Sequence, residues 1–539
     1  MSTHNLLPEP LPPASKQKSS EKKKTRVVIV GAGAAGMSCA ATLAQHPDLF
    51  EVTILERAPV TGGQATSISL DADTYGASWL NDGVQGGSPI FRHTCNFFRT
   101  YGFEAKQVRL QVAFGKGRDG FWTNVFPSKL VGELQKDIRK FGKVLSLVKW
   151  TIPILGLVPI KRMLGLCGFG KKFGERMVYP LMALFLGTGN QTANVASAIL
   201  ERLFDDPNMK LWDYDPSTLL PNLPTMLTFP CLDEFYKTWA ADLRSKGVNI
   251  RTSTQLHSIL SRSAKKGVTL RTQACTADID NAQPTGDPSE PEHYDALVMC
   301  VLADDAKRLL GETASWRENF VLGGAHFFDD VTVTHSDAEY FAEMYETKFD
   351  PELAAEPASK EQEEMLAFAK GEKAPGGELS GEKPGFRPMY YTKTYQERPE
   401  CIEMSFDCTH YQHQFREGED SKDDKPHVYQ TIFLDKGNED MWTKKQIRED
   451  KVIKVKWWHQ LGHRWQHYVR VVPGMRFLNG RRSTYFAGSW TLVNMHELAC
   501  VSGIAAAYRL GADFFGKYLW LSHGVRYKRK KNSDPEKKA

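Results

Sequence analysis

Three glycines, Gly31, Gly33 and Gly36, follow four apolar residues (27–30) and open onto a run rich in Ala and Leu (37–45). That order reads as a buried strand, a tight turn and a helix. In such a turn the first glycine reverses the chain, the second leaves bare backbone for a pyrophosphate, and the third brings helix against strand. Ala34 and Ala35 stand between them. The helix N-terminus they begin would face the anion. A second strand, 51–55, runs into Glu56, which lies 20 residues past Gly36. A carboxylate at that distance accepts hydrogen bonds from an adenosine ribose. The chemistry implied is dinucleotide binding.

Two other patterns imitate chemistry. Gly115, Gly117 and Gly120 repeat the glycine spacing, but the residues after them (121–126) are β-formers. No helix N-terminus is available there for a phosphate, so 107–126 reads as a hairpin with a glycine turn. His459, His463 and His467 recur every four residues, which on a helix is the geometry of a metal pair. Position 460 is Gln where a companion Glu would stand, and no Cys is near. The expectation is an amphipathic aromatic helix over 457–470 and no metal site.

These patterns sit in a chain of 539 residues, more than one ordinary core, so two domains are expected. Hydrophobic residues make 41% and charged residues 25%, a globular composition. The net charge of +5 is small and gathers at the termini, which argues against nucleic acid as a partner. Nine cysteines without a C-x-x-C pair fit a reducing, cytoplasmic setting. Residues 1–24 are rich in Pro, Ser and Lys with no apolar stretch, and read as a disordered leader. The apolar run 144–160 holds Lys149, Pro153 and Pro159. It falls short of the roughly 20 residues that span a bilayer. It is either a buried helix pair or a monotopic patch on a membrane face. Residues 351–385 read as a flexible insertion, and 330–337, 388–394, 401–406 and 428–434 as strands of a mixed sheet flooring a pocket. The basic tail 517–539 either rests on an acidic membrane surface or is solvated.

Glu56-Arg57 followed by Gly62-Gly63, and the segment 485–503 (YFAGSWTLVNMHELACVSG), resemble the two flavin signatures of the flavin-containing amine oxidase superfamily. The runs 76–83 (GASWLNDG), 335–337 (HSD) and 481–497 resemble a bacterial and fungal branch of predicted NAD/FAD-binding oxidoreductases within it. The resemblance implies an α/β fold: a Rossmann-type FAD-binding domain from 25–105, 225–305 and 475–516, interleaved with an α+β substrate-binding domain from 106–224 and 306–474. It implies non-covalent FAD. Gly31, Gly33, Ala34, Ala35, Gly36, Glu56 and Arg57 would bind its ADP half, with the backbone near Leu256 on the adenine side. Gly63, Gln64, Ala65, Gly488 and Ser489 would hold the diphosphate and ribityl chain, although many amine oxidases carry Arg where this chain has Gln64. Ser78 and Trp79 are candidate ring neighbours, with a core role the alternative for Trp79.

Trp490, His496 and Glu497 follow Gly488 within nine positions, so they are the catalytic candidates that the resemblance implies. Trp490 would wall the pocket, His496 donate to the flavin or titrate near neutrality, and Glu497 cap the helix that starts there. The alternative is that Glu497 only caps and His496 only packs. His335 either lines the pocket or is a satisfied structural histidine. The reaction expected is hydride transfer from an apolar C–H or C–N bond of a lipid-like or amine substrate to flavin N5. The lysine that many amine oxidases place near N5 has no counterpart around 331–337, which favours lipid over amine. No second dinucleotide turn is present, so the electron acceptor is expected to be oxygen, a quinone or a partner protein. The alternatives are a redox-neutral flavin isomerase and a flavin-free lipid-binding protein resembling GDP-dissociation inhibitors.

Overall fold

The structure is a computed structural model and describes residues 23–512 apart from 153, 188, 207–208 and 417–424. The leader up to residue 22 and the tail from 513 lie outside the described residues. Five parallel strands form the first sheet, in the order Asn249–Arg251, Phe50–Leu55, Thr25–Val30, Ala296–Met299 and Thr484–Phe486. Val27, Val28 and Ile29 are fully buried in its centre, as the unbroken apolar run requires of a parallel strand covered on both faces.

Two helices 460 residues apart in sequence lie side by side over one face. Ala34–Leu43 and His496–Leu510 approach so closely that a Cβ on Gly503 would stand 2.0 Å from the Ala35 carbonyl. Ser38 Oγ bridges them by donating to the Cys500 carbonyl at 3.0 Å. This contact is why the glycine turn and the C-terminal segment, at opposite ends of the chain, can serve one ligand.

The second large sheet is mixed and seven-stranded. Its order is Val452–Leu461, Phe327–His335, Tyr429–Phe433, Ile402–Asp407, Tyr390–Thr394, Val112–Phe114 and Trp122–Thr123. Only the join of Tyr390–Thr394 to Val112–Phe114 is parallel. Val112–Phe114 and Trp122–Thr123 form the expected hairpin, with Gly115 and Gly117 both at φ +68° in its turn. Helices Gln135–Trp150, Ile160–Leu166, Tyr179–Leu186 and Ser197–Asp205 gather beside this sheet.

Two expectations need correction. Residues 457–461 are not helical: they complete the strand Val452–Leu461, paired antiparallel with Phe327–His335. His463 then turns the chain at φ +48° and His467 starts a short π-helical turn, so the three histidines share no face. Cross-strand pairing of the aromatic residues overrides the four-residue spacing. The insertion 351–385 contains the helix Lys360–Ala369, which buries Met365 and Phe368 in a core with Phe341, Tyr391 and Tyr429. A composition rich in Glu and Lys concealed those two anchors.

Candidate functional site

One cavity of about 480 Å³ opens where the parallel strands end. Gly31 turns the chain at φ +103°, and a Cβ there would meet the Cys300 carbonyl at 2.7 Å. Gly33 pairs with Gly62 by backbone bridging and faces Gly63, so no side chain stands between the two loops. The helix Ala34–Leu43 has no side-chain cap, and Ala34 and Ala35 line the cavity. Its first amides therefore point at whatever fills it. Gly36 does not line the cavity: a Cβ there would stand 1.9 Å from the Gly31 carbonyl, so it serves helix-to-strand contact.

Glu56 lines the same cavity, its two oxygens accepting from Ala32 N at 2.7 Å and Ala58 N at 2.9 Å. Each oxygen keeps capacity for a second donor. Burial raises its pKa, against the pull of those amides. Arg57 is exposed and does not line the cavity, and Leu256 sits in the apolar core beneath the sheet.

Gly63, Gln64, Ala65, Gly488, Ser489 and Trp490 continue the wall. Trp490 is buried, and its Nε1 donates to the Val301 carbonyl at 2.9 Å. Gly488, at φ +145°, admits that indole, for a Cβ there would meet Trp490 Nε1 at 2.6 Å. The helix His496–Leu510 starts at Met495 without a side-chain cap, and both Met495 and His496 line the cavity. A second uncapped helix N-terminus thus opens on the same space.

The side chains at this end take roles other than those expected. His496 Nδ1 meets Thr94 Oγ1 at 2.9 Å and Nε2 meets Tyr236 Oη at 2.7 Å. Both ring nitrogens are occupied by protein, and burial pushes the pKa down to about 4, so the ring is neutral near pH 7. It neither titrates near neutrality nor has a nitrogen to spare for a flavin. Glu497 caps a neighbouring helix rather than its own: its carboxylate accepts from His93 N at 3.0 Å and Thr94 N at 2.8 Å, in the first turn of Arg92–Thr100. His335 is fully buried in an aromatic cluster away from the cavity, with Nε2 3.0 Å from Thr431 Oγ1. Ser78 and Trp79 also stay outside the lining; Asp82, Gly83, Val84, Gln85, Gly86 and Gly87 occupy that stretch instead. The hairpin of Ser67–Ser69 with Trp79–Asn81 holds Trp79 against His413 and delivers the next residues to the cavity.

Beyond Gly87 the wall becomes apolar. It is built from Phe91, Leu110, Leu184, Leu186, Leu211, Met226, Met404 and Ile432, with Trp212 and Tyr411. Charged lining residues are Glu56, Asp82 and Asp305, and Asp82 is engaged by Thr66 Oγ1 at 2.6 Å and Lys456 Nζ at 3.1 Å. Gln85, also in the lining, is locked by Gln430 at 2.6 Å and Gln412 at 3.0 Å. Sequence reasoning missed Tyr236, Thr94 and this glutamine cluster, because isolated Tyr, Thr and Gln residues carry no spacing signal. It also missed Asp407, His410 and His427, whose ligand-type atoms lie within 4.8 Å of one another.

A family model described as an NAD(P)-binding Rossmann-like domain matches residues 29–96. No curated protein matches the chain in sequence. Solved structures are similar over nearly the whole length. A CLA-producing fatty acid isomerase from P. acnes superposes with TM-score 0.56 at 15% identity, covering 91% of this chain and 100% of its own. Putrescine oxidase bound to putrescine gives 0.54 at 12% identity, over 91% and 100%. Reduced UDP-galactopyranose mutase gives 0.53 at 11%, over 90% and 95%. The glycine turn, the acidic strand end and the C-terminal helix stand around one cavity, and the superpositions show that the chain shares the fold of these three structures.

Proposed function

We propose that the chain is an FAD-dependent oxidoreductase that takes hydride from an apolar C–H or C–N bond of a lipid-like substrate. The observation that carries this reading is the cavity's continuity. It runs from Gly31, Gly33 and Glu56 past Gly488 and Met495 to an apolar wall without a charged side chain. The residues fit the cofactor. Ala34 and Ala35 would offer uncapped amides to the diphosphate, Glu56 would accept hydrogen bonds from ribose hydroxyls, and Gly63 and Gly488 would leave room for the chain between the rings. FAD supplies hydride acceptance at N5.

The protein's part is to bind, orient and exclude water. The uncapped N-terminus of His496–Leu510 opens on the cavity and would offer positive potential to negative charge developing on a bound flavin. His496, neutral and held by Thr94 and Tyr236, fixes the position of that terminus. The apolar wall keeps water from the transferring bond. An ammonium substrate finds no carboxylate at that end, which favours lipid over amine.

The test is anaerobic reduction of the purified flavoprotein, read by bleaching of the flavin absorbance, with unsaturated acyl chains and isoprenoids set against primary amines. Bleaching by the apolar compounds supports the reading. Rapid bleaching by amines alone refutes it, and double-bond migration without an added acceptor moves the assignment to an isomerase. Protein that stays colourless on reconstitution with FAD points to flavin-free lipid binding.

A further inference from the structure

Between Ile138 and Lys172 the sequence places eight Lys or Arg residues and no Asp or Glu. The whole chain carries +5, so everything outside these 35 residues sums to −3. This stretch forms a helical hairpin, Gln135–Trp150 and Ile160–Leu166. It runs antiparallel, since Lys140 Nζ donates to the Gly168 carbonyl at 2.9 Å and Phe141 packs on Phe169 at 6.2 Å.

The hairpin's inner side is ordinary core, with Ile138, Phe141, Val148, Ile160 and Met163 buried. Its outer side departs from a soluble surface. Trp150 is 85% exposed, Ile154 78% and Leu166 74%, and Leu147 is exposed one turn before Trp150. Lys143 precedes Leu147 by one helical turn and Arg162 precedes Leu166 by one, so these two apolar side chains each have a cation on their own helix face. Three of the eight cations meet carboxylates from elsewhere: Lys149 with Asp205, Lys161 with Glu400 at 3.8 Å, and Lys172 with Glu133 at 2.7 Å. Arg139, Lys143, Arg162 and Lys171 have no ion pair among the described residues.

We propose that this hairpin docks the protein on an anionic lipid bilayer. Trp150, Ile154, Leu147 and Leu166 enter the headgroup–acyl boundary while Lys143 and Arg162 pair with lipid phosphates. Aromatic and aliphatic side chains interleaved with cations, in a stretch that itself holds no carboxylate, match the surface of a negatively charged leaflet. An acidic protein surface offers the charge but not a thick apolar layer for four protruding side chains. No described helix is long and apolar enough to cross a membrane, so the contact is to one leaflet.

The experiment is co-sedimentation of the full chain with phosphatidylcholine vesicles, with and without 30% phosphatidylglycerol, at low and high salt. Wild type is expected to bind the anionic vesicles and to weaken as salt rises. Trp150→Glu/Ile154→Glu and Lys143→Glu/Arg162→Glu are each expected to lower partitioning roughly tenfold or more. All four positions are exposed, so unchanged melting temperature confirms intact folding. Trp316→Glu, at an exposed aromatic of a separate helix, Trp316–Leu322, is expected to bind as wild type. Undiminished binding by both hairpin variants assigns the contact to another segment and overturns the proposal. Equal loss in Trp316→Glu overturns it too. So does a hairpin variant that merely converts a dimer to a monomer in sedimentation velocity without wild type binding vesicles. None of these readouts depends on flavin or turnover, so the docking stands or falls separately from the proposed reaction.

Discussion

Replacing Glu497 by Gln should loosen the junction that holds two helix N-termini at the cavity. Oε1 accepts from His93 N at 3.0 Å and lies 2.5 Å from His93 Nδ1, while Oε2 accepts from Thr94 N at 2.8 Å. A glutamine keeps one of these oxygens and turns an NH2 towards the other amide. A buried donor left without an acceptor costs about 1–3 kcal/mol. Loss of a negative charge at the N-terminus of Arg92–Thr100 adds about 0.3–1 kcal/mol. The sum is about 1–4 kcal/mol, read as a fall of a few degrees in Tm by scanning fluorimetry at pH 7. Flavin content per protein, read by absorbance, should fall with it, because His496 and Met495 adjoin the loosened residue. Burial raises the Glu497 pKa, but the His93 ring and the two amides outweigh it and bring the carboxyl below its usual 4.5. Its contribution is therefore full above pH 4.5 and fades as pH falls through the lower folded value, so the two proteins should converge in acid. A variant melting within a degree of wild type at pH 7, with full flavin, would refute the reasoning.

Two further predictions concern the frame. Gly36→Ala places a Cβ 1.9 Å from the Gly31 carbonyl and should abolish flavin retention and lower Tm sharply, whereas Gly132→Ala, with nothing within 4 Å, should be neutral or stabilising by up to about 1 kcal/mol; equal behaviour of the two by fluorimetry would contradict the close helix-to-strand approach. His459 is held between Asp304 at 2.7 Å and Asp329 at 2.6 Å, and these pairings, Asp304 foremost, lift its pKa to about 9. That contribution is full below pH 6.5 and lost as pH rises towards 9, on the order of 1 kcal/mol for a group this exposed to solvent. Tm measured from pH 6 to 9.5 should decline more steeply for wild type than for His459→Gln.

The sequence by itself determined the Rossmann-type half of the fold. Gly31, Gly33 and Gly36 are readable because a tight turn, a bare backbone and a close helix each admit only glycine, and Glu56 is readable because the distance along a strand–helix–strand unit is nearly constant. The strands of the mixed sheet were legible from β-branched and aromatic residues in short runs. Local pattern failed where partners far along the chain decide. The spacing of His459, His463 and His467 suits a helix, but pairing with Phe327–His335 buries Trp458 and makes the segment a strand. Glu497 stands in the first turn of its own helix, yet its carboxylate serves the amides of His93 and Thr94, some 400 residues earlier. His496 carries a titratable ring at a ligand's edge, and only the packing of Thr94 and Tyr236 around it shows both nitrogens taken and the ring neutral. Residue type and spacing record what the backbone must do locally. Which atoms a side chain meets, and therefore its charge and role, depends on contacts that only the folded chain brings together.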